Sequence, residues 1–155
     1  MRIVIREDDL RGKAIAELLQ SHLDFAAEHS PPESVHALNL AALRQPDITF
    51  WCAWDGDKLL GCVALKQLDP AHGEIKSMHT APSARGRGVA RKLLAHLMTA
   101  ARKRGYRRLS LETGSMEAFA AARALYQSFG FGISAPFGDY VLDPYSEFMT
   151  IALSA

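Results

Sequence analysis

The stretch that most constrains the fold runs from Gly73 to Ala101. "GEIKSMHTA" is a strand candidate closed by Pro82, and it leads into Arg85-Gly86-Arg87-Gly88. A helical pattern follows, with Val89, Leu93, Leu94, Leu97 and Ala101 on one face and Gly105 as its stop. A helix normally opens on a Ser, Thr, Asp or Asn whose side chain accepts from its first free N–H groups. Here that place is taken by glycines and arginines. Strand, glycine turn and helix together make a cradle for phosphate, because the first N–H groups lack partners and the helix dipole favours an anion. Gly86 and Gly88 let an oxyanion approach where a Cβ would block it. Arg85, Arg87 and Arg91 add charge-assisted donors. A ligand's phosphate is thus a candidate for the missing cap.

The flanking sequence alternates strands with helices. "RIVIRE" has period two and predicts a first strand, followed by a helix with Ile15, Leu18, Leu19, His22, Leu23 and Ala26 on one face. "SPPESVHALNLAALRQP" predicts a second, shorter helix starting at or just before Ser34 and stopping at Pro46. "ITFWCAWDGDKLLGCVALKQL" reads as a hairpin about Asp55-Gly56-Asp57. After the glycine turn and its helix come the strand "RRLSLETG", the helix "SMEAFAAARALYQSFGF" ending at Gly130, and the closing strand "EFMTIALS". The order predicts an α/β domain, a central mixed sheet with helices on both faces. With 155 residues, 48% of them hydrophobic and 23% charged, the chain suits one domain over 1–155, and no repeat or linker divides it.

A formal net charge of +1 gives no global field toward nucleic acid or an anionic membrane, so basic patches are local, at 85–91 and 102–108. No segment approaches the ~20 apolar residues of a membrane span, and the N-terminus alternates apolar and charged residues rather than forming a leader, which predicts a soluble, cytoplasmic protein. Cys52 and Cys62 lie in strand patterns without metal-ligand spacing, so they are expected to be buried free thiols and no metal is expected.

The turn lacks the Lys-Ser/Thr of a nucleotide P-loop and the downstream carboxylate of a dinucleotide site. Arg85-x-x-Gly88-x-Ala90 does match Q/R-x-x-G-x-G/A, and "ALYQSFGF" matches an LY-x-x-x-GF signature. On these two motifs, in this order, the chain resembles the GNAT superfamily of N-acetyltransferases over most of its length. The "FGDYVLDPYSEFMT" tail is similar to that of small bacterial members.

The resemblance implies the acyl-CoA N-acyltransferase fold and acetyl-CoA as co-substrate, with pyrophosphate on the amides of Gly86, Arg87, Gly88, Val89 and Ala90. It implies that the strand bearing Met78, His79 and Thr80 splays from its neighbour to admit the pantetheine arm, the Met78 N–H polarising the acetyl carbonyl. His79 reads as packed structure rather than a base. Tyr126 takes the place of the acid that protonates the leaving thiolate, although Leu125, Tyr126 and Phe129 equally make a core stripe. Glu74 and Glu112 are the candidate general bases, with solvated strand-end carboxylates as the plain alternative. Phe119 stands where the family often has an Asn reaching the pantetheine, with Thr113 and Ser115 as nearby polar groups.

The implied activity is acetyl transfer to a primary amine of a small molecule or peptide by direct attack, since no Cys lies in either motif. Acceptor choice falls to "AEHSPPESVHAL" and "PFGDYVLDPYSEF". A homodimer is left open. The competing reading is a CoA sensor or a nucleic-acid module without catalysis. Only Tyr106 interrupts the basic run at 102–108, which disfavours RNA.

Overall fold

In the computed structural model, which describes residues 2–153, the most apolar strands carry hydrophobic side chains at consecutive positions because both their faces are covered. The elements are β1 (Val4–Glu7), α1 (Lys13–His29), α2 (Leu40–Leu43), β2 (Ile48–Asp55), β3 (Lys58–Asp69), β4 (His72–Thr80), α3 (Val89–Lys103), β5 (Arg108–Gly114), α4 (Ala120–Ser128), β6 (Gly132–Ile133) and β7 (Ser146–Ala152). Phe50 and Cys52 of β2, with Cys62 and Ala64 of β3, pack against Ile15, Leu18 and Leu19 of α1. Their alternating neighbours Trp51, Ala53, Val63 and Leu65 join the core that holds Leu93, Leu94 and Leu97 of α3. The expected α3 face is buried throughout, and Met98 joins it.

The seven strands form one sheet in the order β1-β2-β3-β4-β5-β7-β6. Among the described residues β4–β5 is the one parallel pair, the rest being antiparallel. This is the mixed sheet with helices on both faces that the sequence predicts.

Two irregularities of β4 position the site. Its pairing with β5 runs from His72↔Arg108 to Ile75↔Leu111 and goes no further. Just beyond, Cys62 faces His79 while Ala64 faces Lys76, so Val63 opposes both Ser77 and Met78. The extra residue is a β-bulge, which bends and twists the strand that carries it. Ser77 bears the cost, with φ +54° in a region side chains seldom adopt. The sheet therefore forks between β4 and β5.

Two expectations need correction, and one short strand was not foreseen. The second helix does not start at Ser34: a single 3₁₀ turn at Pro32–Ser34 is followed by extended residues, and α2 begins only at Leu40. Asn39 sets that start, its side-chain oxygen accepting from the Ala42 N–H at 3.0 Å. The helix after β5 likewise begins at Ala120, preceded by a 3₁₀ turn at Glu117–Phe119. The two-residue β6 pairs Gly132 and Ile133 with Thr150 and Met149, too short to show a period in sequence. Cys52 and Cys62 are free, buried and directly opposite in the β2–β3 ladder. Burial pushes the Cys62 thiol up to about 12.

Candidate active site

The fork opens into a cavity of about 620 Å³, walled by α1, β4, the end of β5, the start of α3 and α4. Arg85, Gly86, Gly88, Val89 and Ala90 line one end. Gly88 is the N-cap of α3 with φ +81° and no side-chain cap, and Gly86 has φ +76°. A Cβ built at either glycine meets nothing within 4 Å, so the backbone here faces open space. Left-handed glycines, uncapped helix amides and nearby guanidinium groups suit a phosphate. The Arg85 guanidinium lies 6.0 Å from the Phe25 ring centroid. Arg91 also lines the cavity, and its Nη2 donates to Ser128 Oγ at 3.1 Å. Arg87, between the two glycines, is exposed and is not among the residues lining the cavity.

Met78, His79 and Thr80 line the fork as expected. His79 is buried, its Nε2 3.5 Å from Ser21 Oγ, and its ring centroid is 5.0 Å from that of His22. Burial, with Arg85 nearby, lowers His79 to about 4, so the ring is neutral at physiological pH. That supports the packed-structure reading. Burial and the neighbouring His79 lower His22, also in the lining, to about 4.

Tyr126, Glu112 and Glu74 all reach the same cavity. Tyr126 is buried against Phe131, ring centroids 5.9 Å apart, and burial followed by the Glu112 charge pushes its phenol above the ordinary range. Burial also raises the Glu112 carboxyl, countered by Ser146, His36 and Lys76 and reinforced by Glu74. Glu74 is neither at a strand end nor solvated: it is 3% exposed. Its Oε2 accepts from Lys76 Nζ at 3.1 Å and from the Tyr140 hydroxyl.

Phe119 packs its ring over Gly114 so closely that a Cβ there would lie 2.2 Å from it. The ring also meets Phe25 edge-on at 5.4 Å. An apolar contact between α1 and the turn before α4 thus stands where the family often has an amide. Thr113 lines the cavity, whereas Ser115 Oγ donates to the Pro144 carbonyl instead.

Sequence reasoning did not single out Lys76, and it held Tyr140 and His36 only within the two segments assigned to acceptor choice. Lys76 carries a readable signal, standing two positions from Glu74 on the same strand face. Tyr140 is 66 positions from Glu74 and His36 lies in a segment read as helix, so their contacts are legible only from the fold.

A forked mixed sheet with an amide cradle at one prong and a carboxylate–phenol pair inside defines an acyl-CoA-dependent acyltransferase. The chain belongs to the acetyltransferase (GNAT) family, which matches residues 13–131. It is an N-acetyltransferase of a family whose co-substrate is acetyl-CoA. It is 57% identical to the uncharacterized N-acetyltransferase YsnE of Bacillus subtilis (94% of this chain, 97% of the relative). Identity to the uncharacterized N-acetyltransferase YedL of Escherichia coli is 47% (96% and 94%), and to an IAA acetyltransferase of Azospirillum brasilense 37% (94% and 94%). Among solved structures, a putative acyl-CoA N-acyltransferase from Klebsiella pneumoniae superposes with TM-score 0.78 at 27% identity, covering 98% of each chain. A GNAT family acetyltransferase from Elizabethkingia anophelis with acetyl-CoA bound shares the fold at TM-score 0.72 and 20% identity, covering 97% and 98%. Among the described residues no helix is long and apolar enough to cross a membrane.

Proposed function

We propose that the acceptor is a primary amine that attacks the acetyl carbonyl directly, with Glu112 as general base and Tyr126 as the acid at the departing sulfur. The observation that carries this is the shared cavity: the two groups lie at the fork, close enough for the Glu112 charge to act on the Tyr126 phenol. A base must give up its proton near neutral pH and take another from an ammonium, which a carboxyl raised by burial does better than a solvated one. Glu74 suits the task less, because Lys76 and Tyr140 already occupy its Oε2. The phenol, held above its ordinary value, keeps its proton until thiolate charge develops beside it.

The pyrophosphate of acetyl-CoA sits against Gly86, Gly88, Val89 and Ala90 with Arg85 and Arg91 as flanking cations, and the pantetheine arm runs along Met78–Thr80. Met78, in the bulge, offers its N–H to the acetyl oxygen. Direct attack is favoured over an acyl-enzyme because Cys52 and Cys62 do not line the cavity.

The test is the pH profile of kcat/KM in Glu112→Gln, followed by release of CoA thiol with an amine acceptor. Wild type should lose activity as pH falls through the raised Glu112 value. The variant should be slower by about 10²-fold on the alkaline plateau and lack that acidic limb. An unchanged limb would assign the base elsewhere.

A further inference from the structure

Beyond the fork, the segment that lines the cavity at residues 34–37 is tied to the segment that bonds Glu74 and Lys76 through Tyr140. Ser34 and His36, both in the lining, belong to the stretch between α1 and α2. The buried Ser34 hydroxyl donates to Asp143 Oδ2, and the His36 ring meets Tyr140 edge-on at 5.0 Å, both partners lying between β6 and β7. That second segment is itself anchored. Tyr140 donates to Glu74 and accepts from Lys76 Nζ at 2.9 Å, and its ring lies 5.5 Å from that of Phe148 on β7. A polypeptide laid across the sheet between these segments would have to break both ties and uncover Ser34.

Charge narrows the class further. Lys76 is already neutralised by Glu74 and bonded to Tyr140, so it has little to offer a carboxylate. The other carboxylate lining this end is Glu112, and Asp143, outside the lining, is held below the usual carboxylate range by its bond from Ser34. The remaining lining here includes Val35, Ala37 and the His36 ring. From the loop ties and this charge set we infer that the acceptor is a compact amine on an apolar body, without a carboxylate, and that peptide chains are excluded. The inference rests on the reading of Glu112 as the base at this end of the cavity.

Two measurements decide it. The first needs no substrate: hydrogen exchange of residues 34–37 and 140–143 in wild type and in Asp143→Ala. Cutting the tie should speed exchange in both segments, by about tenfold or more. A change confined to 140–143 would show that the segments move independently, and the inference falls.

The second is CoA-thiol release with matched acceptors: phenethylamine against phenylalanine, 3-methylbutylamine against leucine, and ten-residue peptides presenting a free N-terminus or one lysine. At least one carboxylate-free amine should exceed its amino acid by about tenfold or more in kcat/KM, and exceed both peptides by about 10²-fold. Asp143→Ala and Ser34→Ala should narrow the gap to the peptides. Peptides or amino acids matching the amines in wild type, or no amine turned over while acetyl-CoA binds, would overturn the inference. Running the panel on Glu112→Gln separates the two failures. Turnover that survives this change refutes the assignment of the base, whereas turnover that depends on Glu112 but prefers peptides refutes only the acceptor class.

Discussion

Tyr126→Phe removes one oxygen from a side chain that is 6% exposed and leaves the ring in place against Phe131. No cavity larger than the lost hydroxyl forms, so stability should change by no more than about 1 kcal/mol. The catalytic effect should be larger. Without the phenol, the thiolate leaves with only solvent or the acceptor's own ammonium to neutralise it, and kcat should fall by roughly 10²-fold, equivalent to about 2.7 kcal/mol of lost transition-state stabilisation. The KM for acetyl-CoA should hardly move, because the interaction strengthens only as negative charge gathers on sulfur. Burial and the nearby Glu112 carboxylate keep the phenol protonated well into the alkaline range. The deficit should therefore be uniform from about pH 6 to 9 rather than shrinking at high pH. Steady-state CoA release with a turned-over amine, paired with thermal unfolding of both proteins, makes the comparison. A variant that folds normally and keeps wild-type kcat throughout that range refutes the acid role and leaves Tyr126 as packing.

Gly88→Glu should raise the Kd for acetyl-CoA by about 10²-fold or more, placing a carboxylate and a strained φ of +81° at the helix start where phosphate is to bind. Calorimetric titration reads this directly, and unchanged affinity would remove the turn from the site. The pH dependence of stability follows from His22 and His79, both lowered to about 4 chiefly by burial. The unfolded chain takes up protons below its ordinary histidine value of 6.5 that the folded chain refuses until about 4. Their contribution is thus intact above 6.5 and lost as pH falls between these limits. Urea unfolding near pH 5 should show a smaller dependence on pH in His22→Gln, by about one proton, and an identical slope would show that His22 is protonated in the folded protein.

The sequence by itself carried the parts of this protein that depend on neighbours along the chain. Period-two runs, the Asp55-Gly56-Asp57 turn and the 89–101 helical face are local patterns. So is the Arg85–Ala90 turn, whose glycines take left-handed φ values that only a local backbone demand explains. Those sufficed for the mixed sheet and the glycine turn, while the roles expected of Tyr126 and Glu112 came from the family resemblance and their shared cavity came from the fold. What tertiary structure decided are contacts made across the sheet and between distant segments. The fork needs β3 to set the bulge at Ser77 and Met78, and no residue of β4 announces it. The local pattern of 34–46 suggested helix, but Asn39 restarts the turn and frees Ser34 and His36 to bind the 140–143 segment. Glu74 read as either a candidate base or a solvated strand-end carboxylate, because its partners are invisible in a linear reading. Lys76 is close in sequence but comes into range only on a shared strand face, and Tyr140 arrives from 66 residues away. A side chain's chemistry follows from its own atoms, but its availability depends on what the fold packs against it.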